Sequence, residues 1–232
     1  MSKLNTDSNG YTIGFLVLMV FVVGGVLATL AAVTKPIIDR NIELDNKSKI
    51  LNSVGYTGTE IIKDYNAMIT AIAVNDSGSI IAGVDGYDIN LKKEYKKPLS
   101  ERQFPVFIYK NEGETNYILP LIGLGLWDEV NGFAAFNSDF KTLRGVAFDH
   151  VGETPGLGSI ITEQWWQDYF KGKTVFNKKN DFVLQIHKFG KSPDGISDVD
   201  GLAGATLTTQ GMDNMMRDCI PNYKNYFNSL KK

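Results

Sequence analysis

The longest apolar run lies near the start of the chain, where no charged side chain occurs between Ile13 and Thr34. As a helix with a rise of roughly 1.5 Å per residue, this run would be about 33 Å long. That length matches the hydrocarbon thickness of a bilayer. Glycines such as Gly24 and Gly25 are tolerated in lipid and let a neighbouring helix approach closely. We therefore predict a transmembrane anchor over 13–34.

The anchor divides the predicted chain into a tail over 1–12, the anchor itself and a domain over 35–232. The alternative is a cleaved signal peptide, but its apolar core would be too long. The charges that flank the span are Lys3 on the short side and Lys35 and Arg40 on the long side. By the positive-inside rule they slightly favour a cytoplasmic domain.

Apolar residues at helical spacing continue after the anchor and return near the C-terminus. We predict helices over 36–54, 57–66, 160–170 and 210–220, with a further helical piece over 221–230. The first of these is expected to begin at Pro36, because proline suits the first turn of a helix.

Turn residues between short apolar runs predict two β-hairpins. Their arms are 71–74 with 79–82, and 134–136 with 142–148. The two units align at three positions, so an internal repeat is one interpretation.

Further strands are predicted over 105–109, 116–122 and 182–188. Strands in the middle of the chain with helices around them indicate an α+β fold. The predicted architecture is one transmembrane helix followed by a single domain, in which a mostly antiparallel sheet is flanked by helices.

Composition excludes several classes of function. The chain of 232 residues has 24 Lys and Arg against 26 Asp and Glu, so it lacks the basic surplus of a nucleic-acid-binding protein. Cys219 is the only cysteine and lies in a helical apolar stripe, which predicts a buried thiol and no intramolecular disulfide. His150 and His187 have no further ligand at metal-binding spacing, so we predict no metal site.

The most informative segment is Asp200–Thr209, in which small residues precede three threonines and a helical stripe. A glycine-rich backbone that leads into a helix N-terminus leaves N–H groups free, and such a place favours a phosphate. Thr206 would supply a hydroxyl where that phosphate lies. The alternative is an ordinary loop in which Thr208 or Thr209 is a simple N-cap. The residues alone leave both interpretations open.

A second segment, Gly152–Gly158, contains three glycines and a proline, which specify a tight loop. Leu157 stands between two glycines and could press against a flat ring. Glu153 and Thr154 could hydrogen-bond a heteroaromatic edge. The alternative is a plain turn between a strand and a helix.

A third segment, Gly123–Trp127, is only superficially similar to a dinucleotide fingerprint. Asp128 stands where that motif requires glycine, and no helix follows. We therefore exclude NAD binding there. Trp127 is either a core residue or one wall of a cofactor site.

An N-terminal membrane helix followed by these three segments, at these spacings, resembles NqrC, the C subunit of the sodium-translocating NADH:quinone reductase. The resemblance covers nearly the whole chain and is strongest over 117–212. In this family a dedicated flavin transferase esterifies FMN through its phosphate to the threonine that follows Gly-Ala, which is Thr206 here. The family usually has Ser or Thr in place of Ala203, whereas Asp200 is retained.

The resemblance implies a covalent FMN cofactor and an FMN-binding domain. It implies no catalytic acid, base or nucleophile, so the chain would be one subunit of an enzyme without a complete active site of its own. The implied cofactor-binding residues are Leu126, Trp127, Glu153, Thr154, Gly156, Leu157, Gly158, Asp200, Gly204, Ala205, Thr206, Leu207 and Thr208.

The resemblance also implies partners and a location. The partners are the membrane, the other subunits of the complex and the flavin transferase. The domain would lie on the periplasmic side of the bacterial inner membrane, against the weak indication of the flanking charges. The chain would pass an electron between redox centres of a complex that oxidises NADH, reduces ubiquinone and exports sodium.

There are three alternatives to this function, and the sequence speaks against the last of them. One is RnfG, the G subunit of the related Rnf electron-transport complex, which shares the flavin-attachment motif. Another is a structural anchor subunit without flavin, in keeping with Ala203. The third, a lipoprotein-like ligand sensor, lacks the cysteine of a lipobox.

Overall fold

The computed structural model describes residues Ser8 to Lys231. By its internal contacts the chain divides into two compact units, with the boundary between Asn46 and Lys47. Helix α1, Asn9–Ser53, forms the first unit as far as Asn46, and its apolar side chains over the uncharged run are exposed. Within the described residues, α1 is the one helix that is long and apolar enough to cross a membrane.

The predicted helix start at Pro36 is wrong, because α1 continues through this residue without a break. Proline removes one backbone N–H from a helix. Here apolar residues at helical spacing lie on both sides of Pro36, and one missing hydrogen bond does not end the helix. The last turns of α1 belong to the second unit, where Ile50 and Leu51 are fully buried.

The second unit is built on a five-stranded sheet in which every neighbouring pair of strands is antiparallel. The strand order follows the sequence order, β1 to β5. The strands are β1 Ile69–Val74, β2 Phe104–Asn111, β3 Glu114–Leu124, β4 Glu129–Phe136 and β5 Leu143–His150. This sheet and the helices around it confirm the predicted α+β class and the mostly antiparallel arrangement.

The remaining regular elements are short, apart from one helix near the C-terminus. They are α2 Ile61–Met68, α3 Leu91–Glu94, α4 Gln164–Gln167, β6 Gln185–Ile186, β7 Asp198–Val199, α5 Thr206–Cys219 and α6 Lys224–Leu230. Short 3₁₀ turns occur at Gly86–Asp88, Leu99–Glu101, Gly158–Thr162, Asp168–Phe170 and Ile220–Tyr223. Strands β6 and β7 pair in parallel, and β6 contacts α5.

Helix α5 packs against β3, and this contact positions the candidate site. The buried stripe of α5 includes Met212, Met215 and Cys219, which confirms the prediction of a buried thiol. The Cys219 thiol donates a hydrogen bond of 3.3 Å to the carbonyl of Ile122 in β3. A Cβ atom at Gly123 would lie 2.6 Å from Cβ of Met215, so this glycine allows the helix and the strand to approach closely.

The first predicted hairpin is only partly formed. The turn is present, since the N–H of Asn75 donates to the carbonyl of Ser79 at 3.0 Å. The second arm makes only an isolated bridge between Val74 and Ile80, whereas β1 pairs along its whole length with β2. The second predicted hairpin is confirmed as β4 and β5. The two predicted units therefore do not form equivalent hairpins.

The predicted helix over 160–170 is also wrong, because two 3₁₀ turns flank the single turn of α4. Ile161 and Trp166 are both fully buried, yet residues five apart lie on different faces of a continuous α-helix. Breaking the helix lets both side chains reach the core. The predicted strand over 182–188 is reduced to the two residues of β6.

Candidate functional site

Thr206 is the first residue of α5, so this helix begins four residues earlier than predicted. The preceding Gly204 has φ +72°, a left-handed conformation that glycine adopts without strain. The N-cap residue is Ala205, and no side chain caps it. The first-turn N–H groups therefore carry the partial positive charge of the helix N-terminus without a capping oxygen. The side chain of Thr206 is exposed at this point.

Neither Thr208 nor Thr209 acts as an N-cap, which contradicts that alternative. Both side chains are buried inside the first turns of α5. The hydroxyl of Thr209 accepts a hydrogen bond of 3.1 Å from the N–H of Leu202, which fastens the glycine-rich segment to the helix. The hydroxyl of Thr208 donates at 2.6 Å to Oε2 of Glu153.

Glu153 joins three segments that are far apart in the sequence. Its Oε1 accepts hydrogen bonds from the backbone N–H groups of Leu126 at 2.8 Å and Trp127 at 3.0 Å. Its Oε2 accepts the hydroxyl of Thr208 in α5. The side chain is only 4% exposed. A carboxylate that is this deeply buried needs several donors, and here they come from two other segments.

These donors decide the charge of Glu153. Burial by itself raises the pKa of its carboxyl group, but the hydrogen bonds from Thr208, Trp127 and Leu126 outweigh burial and hold the pKa below its usual value. The nearby His150 acts in the same direction. The group is therefore a carboxylate at neutral pH.

Glycines around Glu153 leave room for its carboxylate. A Cβ atom at Gly125 or at Gly158 would overlap a carboxylate oxygen of Glu153. In the same loop Gly156 has φ +74°, and its N–H donates at 3.0 Å to the hydroxyl of Ser159. Gly125 and Gly158 thus allow close packing around the side chain of Glu153, and Gly156 allows the backbone turn of the loop.

Exposed apolar side chains surround this junction, on the segments that Glu153 connects. Trp127 is 69% exposed and Leu157 is 42% exposed. The indole N–H of Trp127 donates to the hydroxyl of Thr154 at 3.1 Å, and a Cβ atom at Gly204 would lie 2.9 Å from Leu157. Trp127 is therefore not a core residue. We call Leu126, Trp127, Leu157 and Leu207 the apolar patch.

Asp200 has a structural position inside the preceding loop. Its carboxylate accepts hydrogen bonds from the N–H groups of Gly190 at 2.9 Å and Ser192 at 3.4 Å. Its carbonyl accepts the indole N–H of Trp166 at 3.1 Å. Asp200 thus fixes the segment around Gly190 and Ser192 close to the residues that lead into α5.

A cleft of about 390 Å³ is lined in part by Thr206 and was not predicted from the sequence. We call it the basic cleft. Its lining residues are Gln185, Ile186, His187, Lys188, Lys191, Thr206, Thr209, Gln210 and Asp213. The pairing of β6 with β7 brings 185–191 against α5. Such a non-local parallel contact has no signal in local sequence patterns.

The described part of the chain contains no group of three His, Cys, Asp or Glu side chains that could hold a metal ion. The two histidines have other contacts. His150 Nδ1 accepts a hydrogen bond of 3.3 Å from the N–H of Glu153, and His187 Nε2 lies 2.6 Å from a carboxylate oxygen of Asp198.

Comparison with known proteins gives the class first. Residues 125–221 match the model of a protein family described as the FMN-binding domain. That range holds Glu153, Thr206 and both sides of the site described above. The chain is thus a protein with an FMN-binding domain.

Similarity over almost the whole length then gives the family. The chain is 33% identical to the C subunit of the Na(+)-translocating NADH-quinone reductase from Haemophilus ducreyi, over 94% of this chain and 91% of that protein. It is 34% identical to the C subunit from Pseudomonas aeruginosa, over 91% of each. The crystal structure of the C subunit from Parabacteroides distasonis superposes with a TM-score of 0.76 at 32% identity, over 83% of this chain and 96% of that chain. The chain belongs to this family, the C subunits (NqrC) of the Na(+)-translocating NADH-quinone reductase.

Proposed function

We propose that the chain carries FMN esterified through its phosphate to Thr206, and that it passes electrons within a sodium-translocating NADH:quinone reductase. The observation that carries this proposal is the position of Thr206. Its exposed hydroxyl stands at the uncapped N-terminus of α5. A helix N-terminus of roughly half a positive charge stabilises the single negative charge of a phosphodiester.

The surroundings of Thr206 fit an amphipathic ligand such as FMN. The apolar patch offers Leu126, Trp127 and Leu157 to a flat ring. Small residues before Thr206, including Gly204 and Ala205, let a phosphate approach the backbone. Bound FMN would accept and donate electrons, while the protein orients the flavin and sets its environment.

We assign Glu153 a positioning role. Both of its carboxylate oxygens already accept hydrogen bonds within the protein. Glu153 therefore fixes the distance between the Leu126–Trp127 segment and α5, and it holds Trp127 beside the attachment point. Thr154, whose hydroxyl accepts the indole N–H of Trp127 at 3.1 Å, supports the same arrangement.

Location and partners form part of the proposal. We infer that α1 anchors the chain in the bacterial inner membrane and that the domain lies on the periplasmic side. Covalent attachment suits that side, because a dissociated flavin would diffuse away. The proposed partners are the other subunits of the complex and a flavin transferase. The relatives named above are all C subunits of the quinone reductase, so we favour that complex over the Rnf complex.

The proposal is tested by co-expressing the full-length chain with a flavin transferase and measuring flavin fluorescence of the denatured chain in a gel. The wild-type chain should fluoresce and Thr206→Val should not. Thr70→Val, at an exposed position of β1 outside the site, is the matched control and should keep its fluorescence. Fluorescence that persists in Thr206→Val would refute Thr206 as the attachment site.

A further inference from the structure

The basic cleft and the apolar patch share no residue, and Thr206 lines the cleft. Thr206, Gln210 and Asp213 line the cleft and share one face of α5, since residues four and seven apart lie on the same face of a helix. Thr208, which contacts Glu153, is rotated by about 200° from Thr206 around the helix axis. The attachment residue therefore lies on the cleft face of α5, and Thr208 lies on the face that contacts Glu153.

Two lysines give the cleft its charge. Lys188 and Lys191 both line it and are exposed. Among the residues that the structure describes, neither ammonium group has a hydrogen bond or an ion pair. Two cations that line one cleft and form no ion pair attract an anion.

The acidic groups near the cleft are already engaged. Asp213 accepts the N–H of Ile186 at 2.8 Å with one oxygen and the side chain of Arg217 at 2.7 Å with the other. Asp198 contacts His187 at 2.6 Å. None of these carboxylates forms an ion pair with Lys188 or Lys191, and the carboxylate of Asp200 accepts only the backbone N–H groups of Gly190 and Ser192.

The lysines are held in place by the same motif that contains Thr206. The N–H of Lys191 donates to the carbonyl of Lys188 at 2.9 Å, so the two residues form one turn. The carboxylate of Asp200 accepts the N–H of Gly190 inside this turn at 2.9 Å. Asp200 thus ties the lysine turn to the segment that leads into α5.

We propose that the basic cleft binds the phosphate of the flavin nucleotide through Lys188 and Lys191, while the ring lies toward the apolar patch. This inference rests on the proposed function. It assigns a phosphate-binding role to two residues outside the Asp200–Thr209 segment, and it gives Asp200 the role of positioning them. The phosphate in the cleft and the ring at the apolar patch together define the direction in which the flavin would extend from Thr206.

The test uses the full-length Thr206→Val chain in detergent micelles, which cannot be esterified at this position. Binding of FMN and of riboflavin is measured by calorimetric titration. The two ligands differ only by the phosphate, so the difference in affinity reports on phosphate binding. We expect FMN to bind more tightly than riboflavin at low salt. Lys188→Gln together with Lys191→Gln should weaken FMN binding about fivefold or more and leave riboflavin binding unchanged. The corresponding double Arg variant should retain FMN binding.

The matched control is Lys178→Gln with Lys179→Gln, which removes the same charge from an exposed turn outside the cleft. Equal weakening in the control, an unchanged FMN affinity in the cleft variant, or no measurable FMN binding would overturn the inference. So would inorganic phosphate that binds as tightly as FMN. The proposed function has a separate readout, which is the mass of the Thr206 peptide in the wild-type chain.

Discussion

The hydroxyl of Thr208 donates a hydrogen bond of 2.6 Å to the carboxylate of Glu153, although 55 residues separate the two in the sequence. Both side chains are almost completely buried. This contact locks the first turn of α5 to the loop that follows β5. The position of Thr206, two residues before Thr208, depends on it.

Replacing Thr208 with Val should cost about 1–2 kcal/mol in the free energy of unfolding, because Glu153 loses a donor while the shape is preserved. Thr208→Ser keeps the hydroxyl and should recover most of this loss. Urea denaturation of the full-length chain in detergent measures both variants. Equal stability of Thr208→Val and the wild type would show that the hydrogen bond does not hold α5 in place.

Glu153→Gln should lower stability by about 2–4 kcal/mol, since a neutral amide cannot accept from all three donors as the carboxylate does. Tryptophan fluorescence should also change, because Trp127 loses its backbone anchor. Glu163→Gln is the control, as Glu163 is exposed and its side chain makes no hydrogen bond within the described residues.

The same pair of variants tests the pH dependence. The folded-state pKa of Glu153 is lowered, so its stabilising contribution is present above the unfolded pKa of about 4.3 and is lost as the pH falls through the folded value. Denaturation midpoints measured from pH 7 to pH 3 should therefore fall less steeply in Glu153→Gln than in Glu163→Gln. Identical slopes would contradict a charged, hydrogen-bonded Glu153.

Gly204→Ala and Gly156→Ala form a second matched pair. Both residues have nearly the same positive φ, +72° and +74°, so each variant should lose about 1 kcal/mol of stability. Only a Cβ atom at Gly204 would contact Leu157, at 2.9 Å. Attachment of flavin, followed by in-gel fluorescence, should therefore decrease in Gly204→Ala more than in Gly156→Ala. The opposite order would indicate that the space around Gly204 is not needed for the flavin.

Gly211 tests the packing of α5 against the end of β3. A Cβ atom there would overlap the carbonyl oxygen of Leu124. Gly211→Ala should destabilise the protein by about 1–3 kcal/mol, although alanine normally favours a helix. Asn214→Ala, at an exposed position of the same helix, should instead be neutral or slightly stabilising. Thermal unfolding of both variants checks whether alanine lowers the stability at position 211 but not at position 214.

Local patterns predicted the elements that depend on local physics. Alternation and turn residues located β2 to β5, and the apolar run located the membrane-length part of α1. The break in the predicted 160–170 helix cannot be recognised from local patterns. It occurs because Ile161 and Trp166 are both buried in the core, which one continuous helix would not allow. The continuity of α1 through Pro36 does not follow from the sequence, because the preference of proline for the first turn of a helix does not by itself mark a helix boundary.

The candidate site also has parts that local sequence patterns reveal and parts that they do not. The glycine-rich segments and Thr206 were recognisable, since small residues before a helix have a direct physical meaning. The inward orientation of Glu153 and the basic cleft were not, because each depends on contacts between distant segments. The ring contacts and the domain limits at 12, 34 and 35 stay predictions.

Mass spectrometry of the peptide that contains Thr206, from the full-length chain co-expressed with a flavin transferase, decides whether this residue carries the flavin. We expect a peptide heavier by the mass of FMN less one water, with fragment ions that place the addition on Thr206. An unmodified peptide under these conditions, or the same addition on Thr208 or Thr209, would contradict the proposed attachment.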